Sequence, residues 1–364
     1  MVLDEVSALT NAGSLISPAG EIVASYDLEV TDTPALDYRD LAQVTGICNA
    51  ARRPFSPDYA KQSRVHVING MGVTLGDSII GLTALSAIRS RHPSLEFVIY
   101  RPAHSPRYVK QLYELAAPLF GTIVDLPVRL DAIPERELKV DIGNHLFWPN
   151  FSTWPMIDFF LDAMGVCPAD IPPDQKRNQW LRQLALPLPE LPCELLPESP
   201  PELPRELPPE LPPEWRGADY VLLCPDASTP VRSIPASVRP AMIERLWERF
   251  GLPVAGFGAI NHARYTDVTV LSPDTGYFLS WIKHARYLVT ADTAAVHIGA
   301  GFDIPTTAFF STVPPALRAR DYEHCTSIKL EVPELAGLQA SNRLIDIKAI
   351  DRAYRELTEE QFSF

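Results

Sequence analysis

Three junctions between an apolar strand and a helical pattern carry side chains that could do chemistry. The first reads Asn69-Gly-Met-Gly-Val-Thr-Leu-Gly-Asp77. Its glycines permit tight turns and close approach of the backbone to a ligand. It is neither a P-loop nor a G-x-G-x-x-G fingerprint, because no Gly-Lys-Ser/Thr follows and the third glycine is one residue late. Asp77 reads as an N-cap for a helix starting at Ser78. A sharper reading, compatible with the first, is a carboxylate at a cleft mouth, able to take a proton from a hydroxyl. The second junction, Leu223 through Pro235, holds Ser228, Thr229 and Arg232. Small donors beside one cation suit a phosphate or pyrophosphate, and a surface turn with a solvated Arg is the plainer reading. The third is Val289-Thr-Ala-Asp-Thr-Ala-Ala-Val-His297. Asp292 or Thr293 caps a helix there, and Ala294 lets a ligand come close. Exposed amides at such a helix start attract an anion by about 0.3–1 kcal/mol, or up to ~2 when partly buried. His297, one turn in, is either packed or a contact.

These junctions need strands and helices to hold them. Arg64–Gly70 is a strand, and Ile79, Leu82, Leu85 and Ile88 share one face of the helix that follows, with Pro93 beyond its end. LEFVIYR, GTIVDLP and LKVDIGN read as further strands, with a helix over SPRYVKQLYELAAPLF. The alternation resumes with DYVLLCPD, VRPAMIERLWERFG, LPVAGFGA, GYFLSWIKHA, RYLVTAD, TAAVHIGAGFD and PTTAFFS, then a terminal helix. Strands alternating with helices mean βαβ units and parallel sheets. Two such halves imply an α/β protein with two Rossmann-like domains facing across a cleft, with ligands beyond the carboxyl ends of the strands. The second and third junctions fall in one half and both favour anions, which describes a nucleotide-diphosphate pocket.

The expected domains are a small subdomain at 1–60, α/β halves at 61–185 and 216–345, and a helix at 346–364. Short alternating runs at Glu21–Ser25 and Leu28–Thr31 suggest a hairpin in the first of these. Between the halves, 186–215 is rich in Pro and Glu. Over 186–214 it holds eleven prolines, with Glu at every fourth residue from 190. Proline at that density forbids a continuous helix or a central strand, so an extended linker is expected. The Glu-Leu-Pro-Pro repeat is alternatively a docking site for a proline-reading partner.

Composition bounds the function. The chain has 364 residues and a net charge of −13, which argues against broad binding to nucleic acid or anionic membranes. Its 46% hydrophobic residues can bury a sizeable core. The five cysteines make no C-x-x-C and fit free thiols in a reducing compartment, so cytoplasmic is the expected location. No zinc-ligand spacing and no apolar run of membrane length occurs.

Gly76-Asp77 with the following helix to His92-Pro93, and Asp292-Thr-Ala-Ala-Val-His297 with the small residues to Pro305, together resemble the two signatures of glycosyltransferase family 9. That family contains the ADP-heptose:lipopolysaccharide heptosyltransferases. Pro225–Pro235 resembles its donor-phosphate loop, with Arg232 where Lys is usual and Ser-Ile-Pro where Trp-Pro is usual. Ala294 replaces a Gly, and the acid often found after Phe257 is missing. The resemblance spans about residues 64–355 apart from the linker. It implies a GT-B fold and an inverting, metal-independent transfer with no cofactor beyond the nucleotide-sugar co-substrate. It implies Asp77 as general base. Ser228, Thr229, Arg232, Asp292, Thr293, Ala294 and His297 would hold the donor. Gly72, Gly76, Asn144 and His145 would form the acceptor-side loop, for a glycan, lipid-glycan or protein acceptor. The family's default donor is ADP-heptose. The alternatives are a sugar-nucleotide epimerase and a non-catalytic relative that binds a nucleotide or glycan, or scaffolds a partner through its Pro-rich segment.

Overall fold

The computed structural model describes residues 2–189 and 220–357. The chain divides into two compact units, Met1–Leu184 and Ala185–Phe364. Most of the expected Pro/Glu linker, from residue 190 onward, and the end of the expected terminal helix, from 358, lie outside the described residues.

The first unit runs α1 (Glu5–Leu9), β1 (Leu15–Ile16), β2 (Glu21–Val23), α2 (Ser25–Val30), β3 (Arg39–Asp40), β4 (Ile47–Cys48), β5 (Arg64–Ile68), α3 (Leu75–Arg91), β6 (Glu96–Arg101), α4 (Arg107–Phe120), β7 (Gly121–Asp125), β8 (Val128–Arg129), β9 (Leu138–Asp141) and α5 (Met156–Ala163). Its main sheet is parallel, in the order β4-β9-β5-β6-β7. From β5 the chain steps outward through β6 to β7, then returns to place β9 on the other side of β5. The direction of winding therefore reverses between β5 and β9. Connections leaving the two strands diverge, and a crevice opens beyond their carboxyl ends. Val65, Val67 and Ile68 are buried on both faces of the sheet, as a central parallel strand requires. Helix α3 buries Ile79, Leu82, Leu85 and Ile88 together with Ala84 and Ala87.

The segment 1–60 does not stand apart. Strands β1, β2 and β3 form an antiparallel sheet that also recruits β8, from the far side of the unit. The expected hairpin partner at Leu28–Thr31 is instead the end of helix α2 and its C-cap, with Leu28 buried. The segment is tied to the main sheet at Asp141, the last residue of β9. This buried carboxylate accepts from the Ser14 amide (2.9 Å), the Ser14 hydroxyl (2.7 Å), the Gly143 amide (3.0 Å) and Asn49 Nδ2 (3.2 Å). Gly143 is required for the approach, because a Cβ there would sit 2.5 Å from Ser14 Oγ. Burial raises the Asp141 carboxyl above its ordinary value, against the pull of those donors. Asp141→Ala is expected to cost about 3 kcal/mol, since it strands several buried donors at once. The checks are the urea midpoint and the protease sensitivity of residues 1–49; unchanged values for both would show that the segment is held by its apolar contacts alone.

The second unit runs β10 (Val221–Cys224), α6 (Arg239–Phe250), β11 (Val254–Gly256), β12 (Tyr265–Asp267), α7 (Thr275–Lys283), β13 (Tyr287–Ala291), α8 (Ala294–Phe302), β14 (Thr306–Phe310), β15 (Cys325–Lys329) and α9 (Leu344–Arg355). Every pairing is parallel, in the order β12-β11-β10-β13-β14-β15. In order of appearance that is 3-2-1-4-5-6, the doubly wound Rossmann arrangement, and its winding reverses between β10 and β13. Val221, Leu223, Val289 and Phe309 form its core with Met242, Ile243 and Leu246 of α6 and Ile350 and Tyr354 of α9. Both units are thus the Rossmann-like α/β layers expected. Among the described residues no helix is long and apolar enough to cross a membrane.

Candidate active site

Each unit concentrates its polar chemistry at its own reversal point. In the first unit the loop leaving β5 turns sharply, with Asn69, Met71 and Gly72 all at positive φ. Helix α3 begins at Leu75, three residues before the expected start, and its N-cap is Thr74. The Thr74 hydroxyl accepts from the Asp77 amide at 3.3 Å. The capping role expected of Asp77 therefore belongs to Thr74, because a β-branched hydroxyl residue in extended geometry precedes the first turn. Asp77 and Gly76 lie within that first turn, where the helix dipole stabilises a carboxylate by about 0.3–1 kcal/mol.

Asp77 Oδ2 lies 3.5 Å from His145 Nε2, which the loop after β9 supplies. Gly72 sits at the meeting point. A Cβ on it would lie 2.7 Å from His145 Cε1 and 2.9 Å from Asp77 Cβ, and its φ of +73° is itself a glycine conformation. The structure thus brings Gly72, Asp77 and His145 together. Asn144 is engaged elsewhere. Its Nδ2 donates to the carbonyls of Leu9 (2.9 Å) and Asn11 (2.8 Å) and anchors the N-terminal segment. Three residues that sequence reasoning missed come from β6 and α4. Arg101 donates to the Gly70 carbonyl and lies over the Tyr113 ring at 4.1 Å, bracing the Asp77 loop from below. Tyr108, half exposed, has its phenol pushed up by burial and by the nearby Tyr26 and Asp77. Their sequence signal was slight: Arg101 ends β6, and the two tyrosines lie on the helix that follows.

In the second unit the loops leaving β10 and β13 emerge side by side, because those strands pair. Arg232 Nη1 meets the buried Asp292 carboxylate at 3.4 Å, and its Nη2 donates to Ser228 Oγ at 2.7 Å. Arg232 Nε is buried and, among the described residues, has no hydrogen-bond partner. Thr293, not Asp292, caps α8, its hydroxyl accepting from the Ala295 amide at 3.0 Å. Ala294 is the first residue of that helix, half-buried, with no side chain beyond Cβ to obstruct the first-turn amides. Ser228, Arg232, Asp292, Thr293 and Ala294 therefore share one sheet edge. Two residues expected with them are otherwise engaged. The Thr229 hydroxyl both donates to the Ser341 carbonyl (3.2 Å) and accepts from its amide (3.1 Å). His297 is buried, with Nδ1 2.8 Å from the Tyr322 hydroxyl. Tyr354, buried near Asp292, was not anticipated; burial and that carboxylate hold its phenol far above the ordinary range.

The chemistry divides by unit. The first offers a carboxylate facing an imidazole. The second offers a cation, a carboxylate and a helix start, which can hold an anion beside hydroxyl groups. Cys224 is no candidate nucleophile, because burial and Asp226 push its thiol far above the ordinary range.

No family model matches the sequence, and neither does any curated protein. Solved structures do show likenesses of fold. The ADP-heptose lps heptosyltransferase II of E. coli is 13% identical, with 82% of this chain and 99% of that one covered at a TM-score of 0.46. A glycosyl transferase family 9 protein from Veillonella parvula is 12% identical, covering 85% and 99% at 0.47. The iron-containing dodecameric glycosyltransferase TibC of enterotoxigenic E. coli is 12% identical, covering 82% and 78% at 0.48. At these identities the likeness concerns the fold alone, and in that sense the chain is similar to heptosyltransferases of glycosyltransferase family 9.

Proposed function

We propose that this chain is a glycosyltransferase that moves a sugar from a nucleotide diphosphate to a hydroxyl acceptor. The observation that carries the reading is that each Rossmann-like unit places a different half of that reaction at its reversal point. Asp77, in the first unit, takes the proton from the acceptor hydroxyl. Arg232, Ser228 and the first-turn amides at Thr293 and Ala294 in the second hold the diphosphate and stabilise the charge that develops as it leaves. Asp292 accepts from sugar hydroxyls and orients Arg232. A direct displacement of this kind inverts the anomeric centre and needs no metal in its sequence of steps. A heptose carried on ADP is the donor that the family resemblance favours, with a glycan or lipid-glycan as acceptor.

A second reading is a binding protein without transfer activity. It is favoured by one observation: both terminal nitrogens of Arg232 are already engaged, Nη1 by Asp292 and Nη2 by Ser228. A thermal-shift panel decides between them. ADP, UDP, GDP, CMP and TDP are each tested alone and as sugar conjugates, without metal and with Mg²⁺. A ligand at 100 times its Kd stabilises by about 2.7 kcal/mol, a shift of several degrees. The transferase reading expects a metal-independent shift with one nucleotide, larger with its sugar, and release of that nucleotide when acceptor is added. Binding without release supports the second reading, and no shift with any ligand overturns both.

A further inference from the structure

The Asp77 carboxylate has a neighbour whose placement only its own role explains. His145 is buried, and its ring lies among Phe151 (4.7 Å), Phe160 (5.4 Å) and Phe159 (6.0 Å). Its Nε2 is shut away from solvent and, among the described residues, makes no hydrogen bond. A buried polar nitrogen left in that state costs about 1–3 kcal/mol. Asp77 Oδ2 lies 3.5 Å away, beyond ordinary hydrogen-bond length but within ~0.6 Å of it. The aromatic wall fixes the imidazole from three sides. Gly72 removes the one Cβ that would wedge the pair apart. The loop bearing His145 is itself fastened, since the preceding Asn144 is pinned to Leu9 and Asn11, and Trp148 Nε1 donates to the Gly143 carbonyl. A rigid imidazole facing a carboxylate on a glycine-rich loop is an arrangement for setting which way the carboxylate points.

We infer that His145 is a positioning residue for Asp77: as the Nε2–H tautomer it donates to Oδ2 when the site closes on an acceptor, and leaves Oδ1 aimed at the hydroxyl. His145 does not touch the sugar or the acceptor. The inference deepens the transferase reading and rests on it, since a carboxylate that takes no proton needs no aiming.

The test uses the full chain and the variants His145→Phe, His145→Gln, Asp77→Asn and the double variant His145→Phe/Asp77→Asn. His145→Phe fills the aromatic wall without a donor, and His145→Gln restores one. With an active donor and acceptor, His145→Phe is expected to lower kcat about 10- to 100-fold with little change in KM. His145→Gln is expected to recover most of that loss. In the Asp77→Asn background His145→Phe should cost nothing further, because its effect runs through the missing carboxylate. A structural role would lower both backgrounds alike and would not be rescued by Gln. A second readout needs no turnover: in protein labelled with ¹⁵N-histidine, the Nε2 resonance of His145 should move on Asp77→Asn. Full activity in His145→Phe, additive losses, or an unmoved resonance would each overturn the inference while the transferase reading stands. Absence of transfer by the unaltered protein would instead overturn that reading, and the inference with it.

Discussion

Asp77→Asn is expected to lower sugar transfer by 10²-fold or more while leaving the melting temperature nearly unchanged. The structure separates the two effects cleanly. The helix α3 cap is the Thr74 hydroxyl, which receives the backbone amide of residue 77 whatever its side chain is. Asn keeps the volume and the polar contacts of Asp in the first turn. It forfeits the dipole interaction, about 0.3–1 kcal/mol for a partly exposed group, and the charge facing His145. The amide cannot accept a proton from the acceptor hydroxyl, and general-base catalysis is typically worth 10²–10⁴-fold. Thr74→Ala is the complementary variant, expected to lower stability by ~1 kcal/mol with a small effect on rate. Comparable losses of rate and stability in Asp77→Asn would make the carboxylate a structural group and remove the base from the proposed reaction.

The second large effect is expected at Arg232. Replacing it with Ala should weaken nucleotide-diphosphate binding about 10- to 100-fold, the range of one charge-assisted contact of roughly 1.5–3 kcal/mol. It should also lower stability, because Asp292 is buried and loses its cation. Removing one partner of a fully buried pair costs about 3–5 kcal/mol. The Arg232 side chain is 18% exposed, so about 1–2 kcal/mol is expected. Arg232→Lys should recover part of the affinity and less of the stability, since an ammonium cannot reach Asp292 and Ser228 together as the planar guanidinium does. Calorimetric titration with the nucleotide that gives a thermal shift separates the effects. A lower melting temperature with unchanged affinity would confine Arg232 to a structural part and leave phosphate binding to the amides of α8.

The βαβ alternation was legible because central strands such as Val65–Ile68 and Val289–Ala291 are mostly apolar, broken only by His66 and Thr290, and are followed closely by glycine or a capping residue. Three elements were not. Helix α2 buries only Ser25, Asp27 and Leu28, too short a stripe to distinguish from an alternating strand. Helix α5 spans only Met156–Ala163, and its polar face is just Asp158 and Asp162, too short a pattern to mark its period. Strand β15, Cys-Thr-Ser-Ile-Lys, is a largely exposed edge with almost no apolar signal. At the candidate site, Asp77 was legible as a residue at a strand-to-helix turn. Its cap was misplaced because Gly76 reads as loop when it is in fact inside the first turn. The meeting of Asp77 with His145 depends on β9 returning beside β5, and no local pattern encodes which neighbour a strand selects. Thr229 and His297 matched the phosphate-side motif by position, yet their partners, Ser341 and Tyr322, come from later segments that the motif does not include.

Asp141 gives the first unit a socket. Its carboxylate receives one hydroxyl and one amide from Ser14, and beside it the Asn144 side chain reaches for two carbonyls, at Leu9 and Asn11. Asp27 grips the opposite loop through the amides of Ala103 and His104, each at 2.8 Å. To these contacts the segment brings backbone groups and the Ser14 hydroxyl, and also two specific side chains, the Asn49 amide and the Asp27 carboxylate. A different N-terminal segment would have to present the same groups, pair with β8 and fill the apolar cluster that Ile16, Ile22 and Leu41 form with Ile68 and Tyr100. The N-terminal segment and the loop bearing His145 are therefore keyed to one another, and a change in either is constrained by the fit to the other.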